Sequence, residues 1–215
     1  MRRLGWVMVL ASVAAGCAST DDQRLRDYND DGVHLFERGA YKDAGESFQA
    51  ALALKPADAN LLYNLGQCQD RRGQADAAEK TYRECLRQAP GHTDCLHALD
   101  GLLVRQQRRP EANQLVDDWL RRDPQSAAAY AEYGWLCTQD KDYPKALSAC
   151  QHAYELDPRD VHALNELGKL YESLNRSDRA LKMYERSLEY QPNQRDVGLC
   201  VSRLKAQGTD LPHPD

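Results

Sequence analysis

The segment GHTDCLH, residues 91–97, places His92, Cys95 and His97 within one short stretch. Imidazole and thiolate are zinc ligands, but a structural zinc site needs four of them. No second half of such a site stands elsewhere in the chain, so no metal is expected. Phosphate-binding glycine loops, HExxH and GxSxG are missing as well. A serine, a histidine and an acid occur somewhere in any chain this long, and their presence assigns no catalysis. The reading is therefore no catalytic residue, no cofactor and no small-molecule substrate. Cys85 and Cys95 are the thiols with a chemical prospect. They fall near the end of one expected helix and the start of the next, level with each other across the turn. In an oxidising compartment they are the disulfide candidate. Cys137 and Cys150 share a hairpin but stand about two turns apart along it, beyond a bond's reach. Cys68, Cys137, Cys150 and Cys200 read as core thiols.

The seventh cysteine has a different setting. Met1-Arg2-Arg3 is a basic start, and residues 4–16, LGWVMVLASVAAG, form an apolar run of signal length, too short to span a bilayer. The run ends in Ala15-Gly16-Cys17. This resembles the lipobox of bacterial lipoproteins, with Ala14 where Leu is usual. The resemblance implies cleavage after residue 16 and lipidation of Cys17. Each buried methylene contributes roughly 0.8 kcal/mol, so several acyl chains make a lasting anchor. Ala18 rather than Asp after the cysteine implies, by the same resemblance, the periplasmic face of the outer membrane. A plain secretory signal is the alternative.

Loss of Arg2 and Arg3 with the signal takes the net charge from −5 to −7. A chain this acidic without a basic stripe is no nucleic-acid binder. Arg105, Arg108, Arg109, Arg121 and Arg122 form a local cluster, read as a solvated helix face, with an acidic partner or lipid as the alternative.

These residues must be held by something, and the chain states what in its spacing. Prolines stand at 56, 90, 124, 158 and 192, and alanines at 44, 78, 112, 146 and 180, each 34 residues after the last. Gly32, Gly66, Gly134 and Gly168 keep the same step, with Asp100 in the missing place. Three registers holding one period mark an internal repeat. The pattern resembles the tetratricopeptide repeat, through Leu65-Gly66, Leu167-Gly168, the aromatics Phe48, Tyr82 and Tyr184, and the large residues Tyr28, Leu62, Leu96, Tyr130 and Leu164. Val116 and Cys150 depart from the aromatic position.

The resemblance implies an all-α, right-handed α-solenoid of five helical hairpins over 25–58, 59–92, 93–126, 127–160 and 161–194. A capping helix follows over 195–207, with a loose tail at 208–215. Residues 17–24 become a tether of at most roughly 28 Å. Each glycine is expected to face the alanine of its hairpin partner, where only small residues let the axes come close. Gly39, Gly73 and Asn175 suit the left-handed turn between the two helices. The periodic proline ends each second helix, and Asp58, Ser126 and Asp160 stand as N-caps. A single hairpin cannot hide its apolar stripe, so neighbours share faces. Trp119, at a place usually given to alanine, is expected to pack on Ala127-Ala128-Ala129. For Asp100 two readings remain: a helix shift that uses Gly101 instead, or a local widening.

In this family the first helices line a hollow that binds a protein or peptide. The positions facing it here are Phe36, Tyr63, Asn64, Gln67, His97, Trp135, His162, Asn165 and Lys169, with Val33 beside Phe36. Chaperone-binding members clamp a terminal carboxylate with Lys and Asn. Asn29 and Val33 hold those places in the first repeat and Asn64 alone matches in the second, which argues against that ligand. The implied function is a lipid-anchored, non-catalytic scaffold, similar to the tetratricopeptide lipoproteins that assist pilus and secretin assembly. An adaptor for peptidoglycan hydrolases and synthases is the alternative. An enzyme or sensor is a third reading with no motif behind it.

Overall fold

The computed structural model describes residues 7–208, with side chains from Thr20 onward. The basic start at 1–6, the tail at 209–215 and the Cys17 side chain lie outside what is described. The described residues form eleven helices and no strand: α1 (Val7–Glu37), α2 (Tyr41–Leu54), α3 (Ala59–Arg71), α4 (Ala75–Gln88), α5 (Thr93–Arg105), α6 (Arg109–Arg122), α7 (Ala127–Gln139), α8 (Tyr143–Leu156), α9 (Val161–Ser173), α10 (Ser177–Tyr190) and α11 (Arg195–Ala206). Among the described residues no helix is long and apolar enough to cross a membrane. α1 runs unbroken from Val7, so the stretch 17–24, expected as an extended tether, is helical. At 1.5 Å per residue those eight residues advance about 12 Å.

The punctuation acts as local chemistry says it should. Each second helix stops at the residue before its periodic proline: the C-caps are Lys55, Ala89, Asp123, Asp157 and Gln191. Asp58, Ser126 and Asp160 accept from backbone N–H groups of the helices they open. His92 does the same for Cys95, and Asp142 for Lys145, neither of which the sequence analysis assigned. The left-handed residue of the turn recurs in all five repeats: Gly39, Gly73, Gln107, Lys141 and Asn175 have φ of 79°, 73°, 62°, 60° and 56°.

The chain divides into two compact units, up to Gln107 and from Arg108. In the first, Ala44, Phe48, Ala51, Leu61, Leu65 and Cys68 are buried together, with Leu25, Tyr28, Leu35 and Phe36 of α1 packed against them. In the second, Cys137, Ala146, Cys150, Leu167, Leu170, Leu181 and Tyr184 make the core. α11 covers the end of that core with Val197 and Leu204. Cys200 turns inward, and Leu199 turns out, 60% exposed.

In the hairpins that carry an aromatic, the close contact is not glycine against alanine. A methyl group added at Gly32 would fall 2.7 Å from the Phe48 ring, and at Gly66 2.5 Å from the Tyr82 ring. The Gly168 position meets Tyr184 in the same way, and Gly134 meets the Cys150 sulfur. The partner is the residue one turn after the alanine, an aromatic ring in three repeats and Cys150 in the fourth, where the Ala146 carbonyl oxygen also lies 3.2 Å from the added methyl. In the third repeat those two registers hold Asp100 and Val116. Asp100 is fully buried where it stands. Gly101 does not replace it, since a methyl there would meet only the Arg105 guanidinium, at an ordinary 3.5 Å. Trp119 is buried, as are Ala127 and Ala129.

Candidate functional site

The sequence-selected face of the first unit contains a cavity of about 180 Å³. Val33, Phe36 and Glu37 reach it from α1, Asn64 and Gln67 from α3, and the buried Phe48 of α2 lies behind. Helical spacing explains the grouping. Val33 and Glu37 are one turn apart, and Phe36 flanks them on the same face. Asn64 and Gln67 are likewise i, i+3 on α3. The Phe36 ring meets Tyr41 edge-on at 5.1 Å, and the Arg71 guanidinium lies 5.8 Å and 5.9 Å from the two ring centres. That cluster fixes Phe36 in place at one side of the cavity. Val33 remains 40% exposed, an apolar surface with no side chain over it sufficient to hide it.

Tyr63 is less available than its register suggests. Its hydroxyl accepts from Gln67 Nε2, and its ring lies 5.5 Å from His92 and 6.4 Å from Tyr82. Burial pushes its hydroxyl pKa above the ordinary tyrosine value. Asn64 makes no side-chain hydrogen bond among the described residues, which leaves its amide for a ligand. His97 stands half-buried on α5.

In the second unit the selected residues are mostly engaged with their own fold. His162 Nε2 lies 3.1 Å from Glu132 Oε2, and Glu132 is completely buried. Burial works to lower the His162 pKa, but the hydrogen bond and charge of Glu132 outweigh it, and the net shift is upward. Lys169 Nζ donates to Glu166 Oε1 at 2.6 Å, and Asn165 Nδ2 donates to Gln194 Oε1 at 2.8 Å. His162, Asn165 and Lys169 therefore tie α9 to α7, to the approach of α11 and to itself. Trp135 is half-buried on α7. Sequence reasoning missed Glu37 and Phe48 as cavity walls and Glu132 as a buried acid. Glu132 and Glu166 share one repeat register with Asn64, which was the available signal.

A second cavity of about 310 Å³ lies among α6, α7 and α8, walled by Arg109, Asp117, Tyr133, Asp140, Asp142 and Lys145 among others. Two ion pairs stand in its wall, Arg109 with Asp140 at 2.6 Å and Lys145 with Asp142 at 2.7 Å, while Arg109 Nε and Nη1 are buried without a hydrogen-bond partner. The arginine cluster behaves likewise. Arg105 pairs with Asp70, Arg108 with Glu111 and Arg121 with Asp118, while Arg122 donates to the Asp118 carbonyl. It is a set of local ion pairs and not a basic stripe.

The chain is similar to known families and solved structures. The family model described as the Cilia and flagella-associated protein 70 middle TPR-like domain matches residues 36–129. Two models described as Tetratricopeptide repeat match residues 102–161 and 138–207. Human Protein O-mannosyl-transferase TMTC1 is 28% identical over 177 residues, 80% of this chain and 20% of that protein. Hsp70-Hsp90 organizing protein 1 of Glycine max is 27% identical over 134 residues, 59% of this chain and 23% of that protein. The chain thus spans under a quarter of the length of either relative. Among solved structures, TTC0263 of Thermus thermophilus superposes with a TM-score of 0.62 at 23% identity, over 85% of this chain and 99% of that one. Pseudomonas aeruginosa pilF superposes with a TM-score of 0.53 at 19% identity, over 88% and 86%. Together the family models cover residues 36–207, and the fold is the α-solenoid of tetratricopeptide repeats.

Proposed function

We propose that this chain is a non-catalytic adaptor that holds an extended segment of a partner protein on the first-helix face of its repeats. The observation that carries the reading is the α1–α3 cavity, with Val33 and Phe36 apolar, the Asn64 amide unbonded and Glu37 at the rim. At about 180 Å³ it is smaller than the 300–1,000 Å³ of small-molecule sites and suits one side chain. Burying a Leu or Phe there contributes about 1.5–3 kcal/mol, roughly 10- to 150-fold in affinity. Asn64 is suited to the segment's backbone. No Lys or Arg lines the cavity, and Glu37 repels a carboxylate, so an internal apolar residue fits better than a chain terminus.

Lipidation of Cys17 would hold this face near a bacterial envelope membrane, where assembly of a pilus or secretin is the process we assign to it. A photo-cross-linking amino acid at position 33 tests the reading in cells. Capture of an envelope protein through an internal apolar segment, above the level seen from position 80 on α4, supports it. Equal capture from both positions overturns it.

A further inference from the structure

We propose that Cys85 and Cys95 are a dithiol–disulfide pair that, once oxidised, clips α4 to α5. The two residues stand five positions either side of Pro90, one turn from the end of α4 and at the third position of α5. Both side chains are fully buried, and both are thiols in this structure. Each sulfur is oriented by a backbone carbonyl: Cys85 Sγ donates to the Ala59 oxygen at 3.4 Å, and Cys95 Sγ to the Tyr82 oxygen at 3.4 Å. Tyr82 lies one turn before Cys85 on α4, so the Cys95 sulfur sits against the turn of α4 that carries Cys85. The inference rests on the packing of α4 against α5 and not on where the protein resides.

The chemistry is thiol–disulfide exchange with a disulfide oxidant such as oxidised glutathione. One cysteine thiolate attacks the oxidant and releases one glutathione thiol. The second cysteine attacks the mixed disulfide and releases the other. Two electrons and two protons leave the pair, and one S–S bond forms. The neighbouring Cys85 and burial both raise the Cys95 pKa, so the thiolate is scarce in the closed state. Exchange therefore waits on opening of the turn at 89–92. Once formed, the bond is shielded by the same burial and resists reduction. It joins the second repeat to the third across a ten-residue loop, and constrains the unfolded chain accordingly.

The test is disulfide mapping of the purified full chain after incubation with oxidised glutathione, with trypsin digestion and no reductant. Trypsin separates Cys85, in Glu84–Arg87, from Cys95, in Gln88–Arg105. The expected result is those two peptides linked, Cys68, Cys137 and Cys150 still alkylatable, and the link unchanged in Cys68→Ala. Sub-denaturing urea should accelerate its formation. The oxidised form should melt roughly 5–10 °C above the reduced form. Free Cys85 and Cys95 after prolonged oxidation, linkage to another cysteine instead, or an oxidised form that melts no higher would overturn the proposal.

Discussion

Gly66 and Gly101 sit in the interiors of equivalent first helices, yet the structure assigns opposite signs to the same substitution. Replacing a mid-helix glycine with alanine gains about 0.5–1 kcal/mol from backbone entropy alone. At Gly101 little opposes that gain, because the new methyl meets only the movable end of Arg105 at 3.5 Å. At Gly66 the methyl would enter the Tyr82 ring, 2.5 Å from Cε1 and 2.7 Å from Cδ1. Tyr82 is 1% exposed and has nowhere to swing. Overpacking of this kind costs about 1–3 kcal/mol. The net expectation is that Gly66→Ala loses about 1–2 kcal/mol while Gly101→Ala gains up to about 1 kcal/mol. The pair should therefore differ by roughly 2–4 °C of melting temperature for each kcal/mol of that gap. Urea titration followed by far-ultraviolet circular dichroism measures both midpoints. A double-mutant cycle with Tyr82→Leu, which removes the ring, should recover most of the Gly66→Ala loss. A Gly66→Ala chain as stable as the wild type, or a loss that persists without the ring, would refute the claim that glycine is there to seat the aromatic.

Other outcomes follow from the same geometry. Lys141 holds a left-handed turn with φ of 60°, so Lys141→Gly should raise stability by up to about 1 kcal/mol in the same titration; a fall would mean the side chain contributes more than the strain costs. The raised His162 pKa means the folded state keeps a proton that the unfolded chain has lost above its ordinary value near 6.5. That stabilisation is complete below pH 6.5 and is lost as pH rises through the folded value. Urea midpoints should then fall with rising pH in the wild type and stay flatter in His162→Gln; equal slopes would remove the pair from the account. Val33→Asp should weaken binding of a captured partner segment tenfold or more at unchanged melting temperature, and equal affinity would exclude the α1–α3 cavity. Cys17→Ser should release the protein from the membrane fraction, and unchanged fractionation would count against the lipid anchor.

The repeat skeleton was legible because its signals are local. A proline blocks helix continuation whatever surrounds it, and an Asp or Ser at an N-cap accepts N–H groups from its own next turn. Asp58, Ser126 and Asp160 needed no tertiary information to be found. The turn was legible at Gly39, Gly73 and Asn175, but Gln107 and Lys141 adopt the same conformation without a residue type that prefers it. There the hairpin on either side imposes the backbone. The glycine contact was misread because spacing alone pairs small with small, whereas the hairpin puts the ring of Phe48, Tyr82 or Tyr184 one turn further along.

The ligand face was legible only as a register. Position in the repeat says which residues leave the shared core, and Val33, Phe36, Asn64 and Gln67 do meet at one cavity. It does not say whether a polar side chain there finds a partner inside its own unit, because that depends on the rotamers within its helix and on the residues that neighbouring helices bring alongside. His162 finds Glu132, Lys169 finds Glu166 and Asn165 finds Gln194. Each of those bonds uses a group that a passing peptide would otherwise contact, and breaking one leaves a partner poorly satisfied. In the second unit these three selected side chains are thus taken up by α9 and its neighbours. The first unit has left an apolar pocket and one amide uncommitted, and that difference is the physical reason to look for the partner at α1 and α3.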